Sequence, residues 1–222
     1  MGYYPIFLKL DGVAALVVGG GRVAERKVET LIEYGASITI ISSELTDKLN
    51  ALVDNGSIFW IGKEFEDHHL DDATLVFAAT DDSLLNHQVS QGAIKRGLLV
   101  NAVDQPADCS FIVPSIVRRK DLAIAISTSG KSPALAKAIR RQLESQFGKE
   151  YEPFLDLMGR LRKEVLLAGF SQEENSRIFN EIVDSDVLKA FAEDDRQRVE
   201  TELRRILPPE LKLKRLFSKE RL

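Results

Sequence analysis

One segment near the start of the chain has the residue types and the spacing of a phosphate-binding turn. It follows a compact apolar run, opens an amphipathic stretch and reads Gly19-Gly20-Gly21-Arg22-Val23-Ala24. In this G-x-G-x-x-A pattern the first glycine permits a tight turn, the second lets the backbone approach a pyrophosphate, and the alanine lets a helix pack closely on a strand. The amides at the start of that helix then face the negative charge. The alternative is a glycine-rich turn that binds no ligand.

The next polar segment is suited to the ribose of a dinucleotide. A ribose-binding acid is typical about 20 residues after such a turn. Here the sequence has Ser42 and Ser43, with Glu44 one position late. Two hydroxyls can hydrogen-bond a ribose diol. No Arg or Lys stands nearby in the sequence to neutralise a 2′-phosphate, so the pattern favours NAD over NADP.

Two further candidate segments lie where apolar runs end. Ala79-Thr80-Asp81 offers small residues along which a cofactor can lie, although Asp81 is equally suited to capping a helix. Asp104 follows the next apolar run, where a carboxylate can take or give a proton beside a nicotinamide ring. A capping or turn-forming role for Asp104 is the alternative. The three histidines lack the H-x-x-x-H spacing of a zinc site, so we predict no metal centre.

A second loop, in the middle of the chain, is suited to an anionic ligand. Its residues are Ser127-Thr128-Ser129-Gly130-Lys131-Ser132-Pro133. Amides and hydroxyls at a helix start donate hydrogen bonds, and Lys131 adds a positive charge. Lys137, Arg140 and Arg141 extend a basic surface along the helix that follows. A solvated capping loop is the alternative.

These residues need a scaffold that brings distant segments to one edge, and the alternation of apolar and amphipathic stretches predicts one. Strands are predicted at Val13–Val18, Ile38–Ile41, Ile58–Ile61, Leu75–Ala79 and Leu98–Val103. The helices predicted between them cover Val23–Tyr34, a stretch to Val53 that is capped at Ser43 or a neighbour, and a stretch to Gly97 that is capped at Asp81 or Asp82. Strand and helix alternating with short links produce right-handed βαβ units. The predicted fold class is therefore α/β, with a Rossmann-like doubly wound parallel sheet.

The pattern changes after residue 113. Ile112–Val117 and Leu122–Ser127 are strand-like and separated by four polar residues, which indicates a hairpin, and Ser132 with Pro133 predicts a helix start. Beyond Gly148 the chain is predicted to be helical, with two of its helices over Asn175–Ala192 and Asp195–Leu207. We therefore predict an NAD-binding domain over residues 1–113, a small α+β segment over 114–147 and a helical domain over 148–222.

Composition and charge exclude several classes of protein. The 222 residues include 30 basic and 34 acidic side chains, so the net charge of −4 offers no general attraction to nucleic acid. Only the end, from Leu203 to Leu222, is basic, and its last part is expected to be a frayed helix or a disordered tail. No secretory signal or apolar run of about 18–20 residues is present, which argues against a membrane protein. With Cys109 as the only cysteine, the expected location is cytoplasmic.

The ordered set of motifs resembles the precorrin-2 dehydrogenase and sirohydrochlorin ferrochelatase family of sirohaem synthesis. The residues that carry the likeness are Gly19-Gly20-Gly21-x-Val23-Ala24-x-Arg26-Lys27, Ala79-Thr80-Asp81, Asn101-x-x-Asp104 and Gly130-Lys131-Ser132-Pro133-Ala134-Leu135-Ala136. The likeness covers residues from about Tyr4 to Leu143. It implies NAD⁺-dependent oxidation of precorrin-2 to sirohydrochlorin, and in some members insertion of Fe²⁺ to give sirohaem.

The resemblance also assigns roles to residues. It implies that Asp104 acts in both steps, that Gly19, Gly21, Val23 and Ala24 hold the dinucleotide, and that residues from about 114 to 143 interlock two subunits of a homodimer. A polycarboxylate substrate needs cationic and amide donors. The candidates are Ser129, Gly130, Lys131, Ser132, Lys137, Arg140 and Arg141, together with Arg118 and Arg119.

A rival function from another class is a non-catalytic NAD-sensing module built on the same fold. Such a module would need the glycine-rich turn and a dimer interface. It would need neither Asp104 nor the loop from Gly130 to Ala136, so these two features favour an enzyme.

Overall fold

Five short apolar segments form one parallel sheet in the computed structural model, which describes residues 2–211. They are β1 (Ala14–Val18), β2 (Ser37–Ile41), β3 (Phe59–Gly62), β4 (Leu75–Ala78) and β5 (Leu99–Ala102). Their order across the sheet is β3-β2-β1-β4-β5, and each neighbouring pair is parallel. The direction of winding reverses at β1, which lies between β2 and β4, and doubly wound sheets bind ligands at this switch point. The predicted fold class is confirmed.

Helices cover both faces of the sheet because alternate side chains of each strand point to opposite sides. The three helices of this unit are α1 (Arg22–Glu33), α2 (Asp47–Asp54) and α3 (Ser83–Lys95). On one face Val17 of β1 packs in the same buried cluster as Val28 of α1. On the other face Val18 packs with Val89 of α3. Short 3-10 turns cover Asp67–Leu70 and Pro106–Asp108.

The chain divides into two compact units, Met1–Val113 and Pro114–Leu222. In the second unit, β6 (Ser115–Arg119) and β7 (Leu122–Ile126) form an antiparallel hairpin on which α4 (Pro133–Gln146) packs. The helices that follow are α5 (Tyr151–Ala168), α6 (Gln172–Val183), α7 (Val187–Ala192) and α8 (Arg196–Ile206). They bury a common apolar core that includes Leu161, Ile178 and Leu203, each with no exposed surface.

Two of the predicted boundaries were wrong in the second unit. The first strand of the hairpin begins at Ser115 rather than at Ile112, because Pro114 has no amide hydrogen to give to a strand ladder. The helix predicted over Asn175–Ala192 is two helices, α6 and α7. Ser185 lies between them, where its hydroxyl donates to the Ile182 carbonyl at 2.7 Å and accepts from the next helix.

The cap predicted at Ser43 or a neighbour lies at Thr46, whose Oγ1 accepts a hydrogen bond from the Leu49 amide at 3.3 Å. The cap predicted at Asp81 or Asp82 is Asp82, which accepts from two amides of the first turn of α3. The final segment, predicted over Leu211–Leu222, lies outside the described residues except for Leu211, which is buried in the apolar core of the helices.

Candidate functional site

A cleft of about 890 Å³ opens at the carboxyl edge of the parallel sheet. Its walls are the segments that follow β1, β2, β3, β4 and β5. The predicted cofactor residues that line it are Gly19, Gly21, Arg22, Val23, Ser42, Ser43, Ala79, Thr80 and Asp81. Asp104 lines the same cleft. Ala24 lies behind the turn, fully buried against the sheet.

The first two glycines of the turn are required by close packing of the backbone. Gly19 has a φ of 122°, which side chains rarely adopt, and a Cβ there would collide with the Ala79 carbonyl. A Cβ on Gly20 would collide with the carbonyl oxygen of Glu44 and lie 2.6 Å from the Ser42 hydroxyl. Because these two residues have no side chain, the turn can pack directly against the segments that follow β2 and β4.

Gly21 differs from its two neighbours because a Cβ built on it would meet no protein atom within 4 Å. Gly21 also caps α1, and it has no side chain that could accept hydrogen bonds from the amides of the first turn. Those amides are the donors that a helix start leaves without a partner inside the helix. The open space above Gly21 and the uncapped helix start fit the pyrophosphate of a dinucleotide.

The loop after β2 is held by β3. The Ser42 amide donates to the Gly62 carbonyl at 3.1 Å, and the Trp60 indole donates to the carbonyls of Ser42 and Gly62. Lys63 follows β3 directly and lines the cleft together with Arg22. Lys63 is distant from Ser42 in the sequence and reaches the same cleft because β3 pairs with β2.

The segment after β4 is fixed by a side chain that the sequence pattern did not single out. Asn86 of α3 is buried, and its Oδ1 accepts from the Thr80 amide at 3.1 Å and from the Thr80 hydroxyl at 2.8 Å. Its Nδ2 donates to the Thr80 carbonyl at 3.0 Å. Thr80 is thereby held in one orientation, and Asp81 stays exposed at the cleft. An asparagine one turn after a capping aspartate was the available signal.

Asp104 follows β5 and has a left-handed backbone, with a φ of 58°. Aspartate and asparagine tolerate this conformation better than most residues. The preceding amide, that of Val103, donates to the Ala78 carbonyl at 2.9 Å and so continues the ladder between β5 and β4. The Asp104 side chain is exposed to solvent, so its carboxylate is accessible to a ligand in the cleft.

Among the described titratable groups of the first unit, Lys27 and Cys109 have shifted pKa values. Burial lowers the pKa of Lys27, whose ammonium lies 5.5 Å from the ring centre of Phe77. Burial also raises the pKa of the Cys109 thiol, which is hydrogen-bonded to the Ala102 backbone. Both side chains belong to the packing behind the edge of the sheet rather than to the lining of the cleft.

The second predicted loop lies in the other unit, where it caps α4. Ser132 Oγ accepts from the Leu135 amide at 3.2 Å, as the capping alternative predicts. Ser129 and Gly130 have φ values of 52° and 78°, and both are exposed. Lys131 and Lys137 are also exposed, and Arg140 forms an ion pair with Glu144 at 2.6 Å. Their proposed role toward a ligand stays a prediction.

Residues 2–211 contain neither a helix that could span a membrane nor a cluster of metal-ligating side chains. None of the described helices is both long enough and apolar enough to cross a bilayer. Within the same residues, no group of three or more His, Cys, Asp or Glu side chains is arranged to hold a metal ion.

Two family models match the chain. One, described as NAD(P)-binding, matches residues 6–115, which include the sheet and the cleft. The other, described as sirohaem biosynthesis protein central, matches residues 119–146, which include α4. The predicted NAD cofactor and the predicted family resemblance are confirmed.

The chain is also similar to curated proteins and to a solved structure. It is 40% identical over 197 residues to siroheme synthase 1 of Aeromonas salmonicida (strain A449), which is 88% of this chain and 42% of that protein. It is 43% identical over 165 residues to siroheme synthase of Photorhabdus laumondii subsp. laumondii, which is 74% of this chain and 35% of that protein. The chain thus spans less than half the length of these curated relatives.

The solved structure of SirC, a precorrin-2 dehydrogenase, superposes with a TM-score of 0.75 at 26% identity. The superposition covers 90% of this chain and 100% of that chain. Unlike the siroheme synthases, this relative is therefore matched over its full length.

Proposed function

This chain belongs to the precorrin-2 dehydrogenase and sirohaem synthase family, and we propose that it oxidises precorrin-2 to sirohydrochlorin with NAD⁺ as the hydride acceptor. The observation that carries the proposal is the placement of Asp104 in the same cleft as the glycine turn. A dinucleotide site alone would also suit a sensing module. A carboxylate that is exposed in that cleft supplies the second element that an oxidation of this kind requires, a proton acceptor.

The cofactor would be held mainly by backbone groups. The amides at the start of α1 and the open face of Gly21 would bind the pyrophosphate, and the two serines after β2 would bind the adenosine ribose. When bound, NAD⁺ supplies the carbon that accepts a hydride. We propose NAD⁺ rather than NADP⁺ because Glu44 and Glu64 line the cleft beside Lys63 and would repel a 2′-phosphate.

Asp104 is the proposed general base. Oxidation of precorrin-2 to sirohydrochlorin removes a hydride and a proton from the macrocycle, and the Asp104 carboxylate would take the proton. Its exposure allows it to release that proton to water before the next turnover. Its left-handed backbone lies directly after β5, so the sheet fixes where the carboxylate enters the cleft.

The substrate carries several carboxylates, and the second unit supplies donors for such groups. We propose that the loop of the exposed Ser129, Gly130 and Lys131 and the half-buried Ser132, together with the exposed Lys137, binds them. Arg140 would contribute only by exchanging its ion pair with Glu144 for one with the substrate.

We further propose that the protein is a cytoplasmic homodimer in which residues 114–147 form the dimerisation segment. The hairpin of β6 and β7 supports this proposal because its two strands pair only with each other in the described chain and leave open ladder edges. Light scattering after size-exclusion chromatography tests the dimer, which should have about twice the 24.8 kDa mass of the chain.

An anaerobic assay with enzymatically prepared precorrin-2 and NAD⁺ tests the activity. NADH and sirohydrochlorin should form together, and Asp104→Ala should reduce the rate about 100-fold or more while leaving the Kd for NAD⁺ nearly unchanged. An equal loss of NAD⁺ affinity would make Asp104 a structural residue. NAD⁺ binding without any NADH formation would refute the dehydrogenase and favour the sensing module.

The same assay decides whether this chain also catalyses the insertion of iron into sirohydrochlorin. After NADH formation is complete, Fe²⁺ or Co²⁺ is added as the second substrate, and the loss of sirohydrochlorin absorbance is compared with an enzyme-free control. Faster conversion than in the control identifies a bifunctional enzyme. Equal rates identify a dehydrogenase that depends on a separate chelatase.

A further inference from the structure

The segment that carries Asp104 is anchored to α3 by a histidine and a buried aspartate. We propose that His87 is a positioning residue, which acts through Asp108 to hold residues 103–109, here called the Asp104 loop, in the geometry that presents Asp104 to the cleft. The inference rests on the proposed role of Asp104 as the general base. It adds a residue outside the cleft to the machinery of the reaction.

The contact between the two side chains is close and symmetric. His87 Nδ1 lies 2.9 Å from each of the two carboxylate oxygens of Asp108. A carboxylate can only accept hydrogen bonds, so Nδ1 carries the hydrogen. The side chain of Asp108 is 12% exposed and that of His87 is 55% exposed. The aspartate is therefore fixed inside the loop, and the histidine reaches it from the surface of α3.

Asp108 would be costly to bury without such a partner. A carboxylate that loses its water must recover hydrogen bonds from the protein. The backbone of the same residue is fixed independently, since the Ser90 hydroxyl, fully buried on α3, donates to the Asp108 carbonyl at 2.5 Å. Two consecutive turns of α3 thus contact one residue of the loop, through its side chain and through its carbonyl.

A further contact of α3 lies between Asp104 and Asp108. Gln105 Nε2 donates to the Ser83 carbonyl at 2.9 Å, at the first residue of α3. The loop is therefore attached to α3 at Gln105, immediately after Asp104, and again at Asp108. Between these two points only Pro106 and Ala107 remain, and the Asp108 amide donates to the Gln105 carbonyl at 2.9 Å, so a shift at Asp108 would reach Gln105 and, through it, Asp104.

The ends of the loop are held by other elements, so loss of His87 should change the loop without unfolding the domain. At the start, the Val103 amide bonds to the Ala78 carbonyl of β4 at 2.9 Å. At the end, the thiol of Cys109 accepts from the Ala102 amide at 3.2 Å. His87 itself is exposed and adds little to the apolar core.

Two substitutions of His87 separate positioning from a general structural effect. Asparagine places an amide N–H close to the position of Nδ1, whereas leucine has no donor. We expect His87→Leu to lower kcat about tenfold with little change in KM for NAD⁺, because small displacements of a reacting group are costly. His87→Asn should recover most of the lost rate. His68→Leu, which changes an exposed histidine of the 3-10 turn after β3, is the matched control.

A double-mutant cycle with Asp104→Ala tests whether His87 acts through Asp104. If it does, His87→Leu causes no further loss in the Asp104→Ala background, since coupled residues are not additive. Hydrogen exchange of residues 103–109 is measured in parallel and should quicken in His87→Leu but not in His87→Asn or His68→Leu. Equal losses in both backgrounds, or unchanged exchange in His87→Leu, would overturn the proposal. Absence of NADH formation by the unmodified protein would instead defeat the proposed function, and the exchange result would still decide whether His87 anchors the loop.

Discussion

Replacing Gly21 by alanine should separate binding of the cofactor from stability of the fold. Gly21 has φ −82° and ψ −175°, which alanine adopts without strain, and a Cβ would meet no protein atom within 4 Å. The new methyl group would occupy the open space in which we place the pyrophosphate. Of the three glycines of the turn, Gly21 is therefore the one whose replacement by alanine should weaken cofactor binding without disturbing the fold.

The magnitude follows from the hydrogen bonds that the methyl group displaces. A hydrogen bond to a charged group contributes about 1.5–3 kcal/mol. Losing one should raise the Kd for NAD⁺ about 10- to 150-fold, because each 1.4 kcal/mol is a factor of ten. Stability should change by less than about 1 kcal/mol, since alanine is a poorer helix cap than glycine but also lowers the entropy of the unfolded chain.

The assay uses the single tryptophan of the chain as a reporter. Trp60 donates to the Ser42 carbonyl beside the cleft, so its fluorescence should respond when NAD⁺ binds. Titrations give the Kd, and thermal unfolding without cofactor gives the stability. The matched control is Gly19→Ala, which should lower the melting temperature because of its φ of 122° and the Ala79 carbonyl. NAD⁺ affinity equal to that of the unmodified protein in Gly21→Ala would refute the placement of the pyrophosphate.

Three other predictions concern residues around the cleft. Asp82→Ala should lower the free energy of unfolding in urea by about 1 kcal/mol because a helix cap is lost, and Asp81→Ala should not. Because burial lowers the pKa of Lys27, the folded state binds fewer protons than the unfolded state and stability rises with pH toward the ordinary lysine pKa. Lys27→Met should therefore be more stable than the unmodified protein at pH 7 in urea titrations, by a margin that shrinks in alkaline solution. Because burial raises the pKa of the Cys109 thiol, it should react with a disulfide reagent at pH 8 more slowly than free cysteine, and unfolding should abolish the difference.

Features that depend on neighbouring residues could be predicted from the sequence. The strands are short apolar runs closed by turn residues, and the turn at Gly19–Gly21 has a fixed spacing, so both are visible in a window of a few residues. Asp104 could be placed at the cleft by the same reasoning, because every strand of a parallel sheet points its carboxyl end to one edge. These features can be predicted without knowing which strands pair with each other.

Features that depend on pairing between distant segments could not be predicted. Lys63 reaches the cleft because Gly62 pairs with Ile41, and nothing near Ser43 in the sequence reveals that pairing. The cap of the helix after β2 is Thr46 rather than Ser43, and this too depends on a contact with a distant segment. The Thr46 amide donates to the Gly20 carbonyl at 3.1 Å, so the chain stays bound to the glycine turn until that point. Several serine and threonine residues are suitable caps, and this tertiary contact selects one of them.

The residues that the sequence pattern missed share a role in fixing loops. A parallel sheet determines where its strands end, but it leaves open the path of the chain beyond each end. In this protein a polar side chain from the adjoining helix fixes that path. Asn86 holds Thr80, Glu25 of α1 accepts from the Thr46 hydroxyl at 2.6 Å, and His87 holds Asp108. Because none of these three helix residues belongs to a strand, changing one should alter the geometry of the cleft while the sheet remains intact.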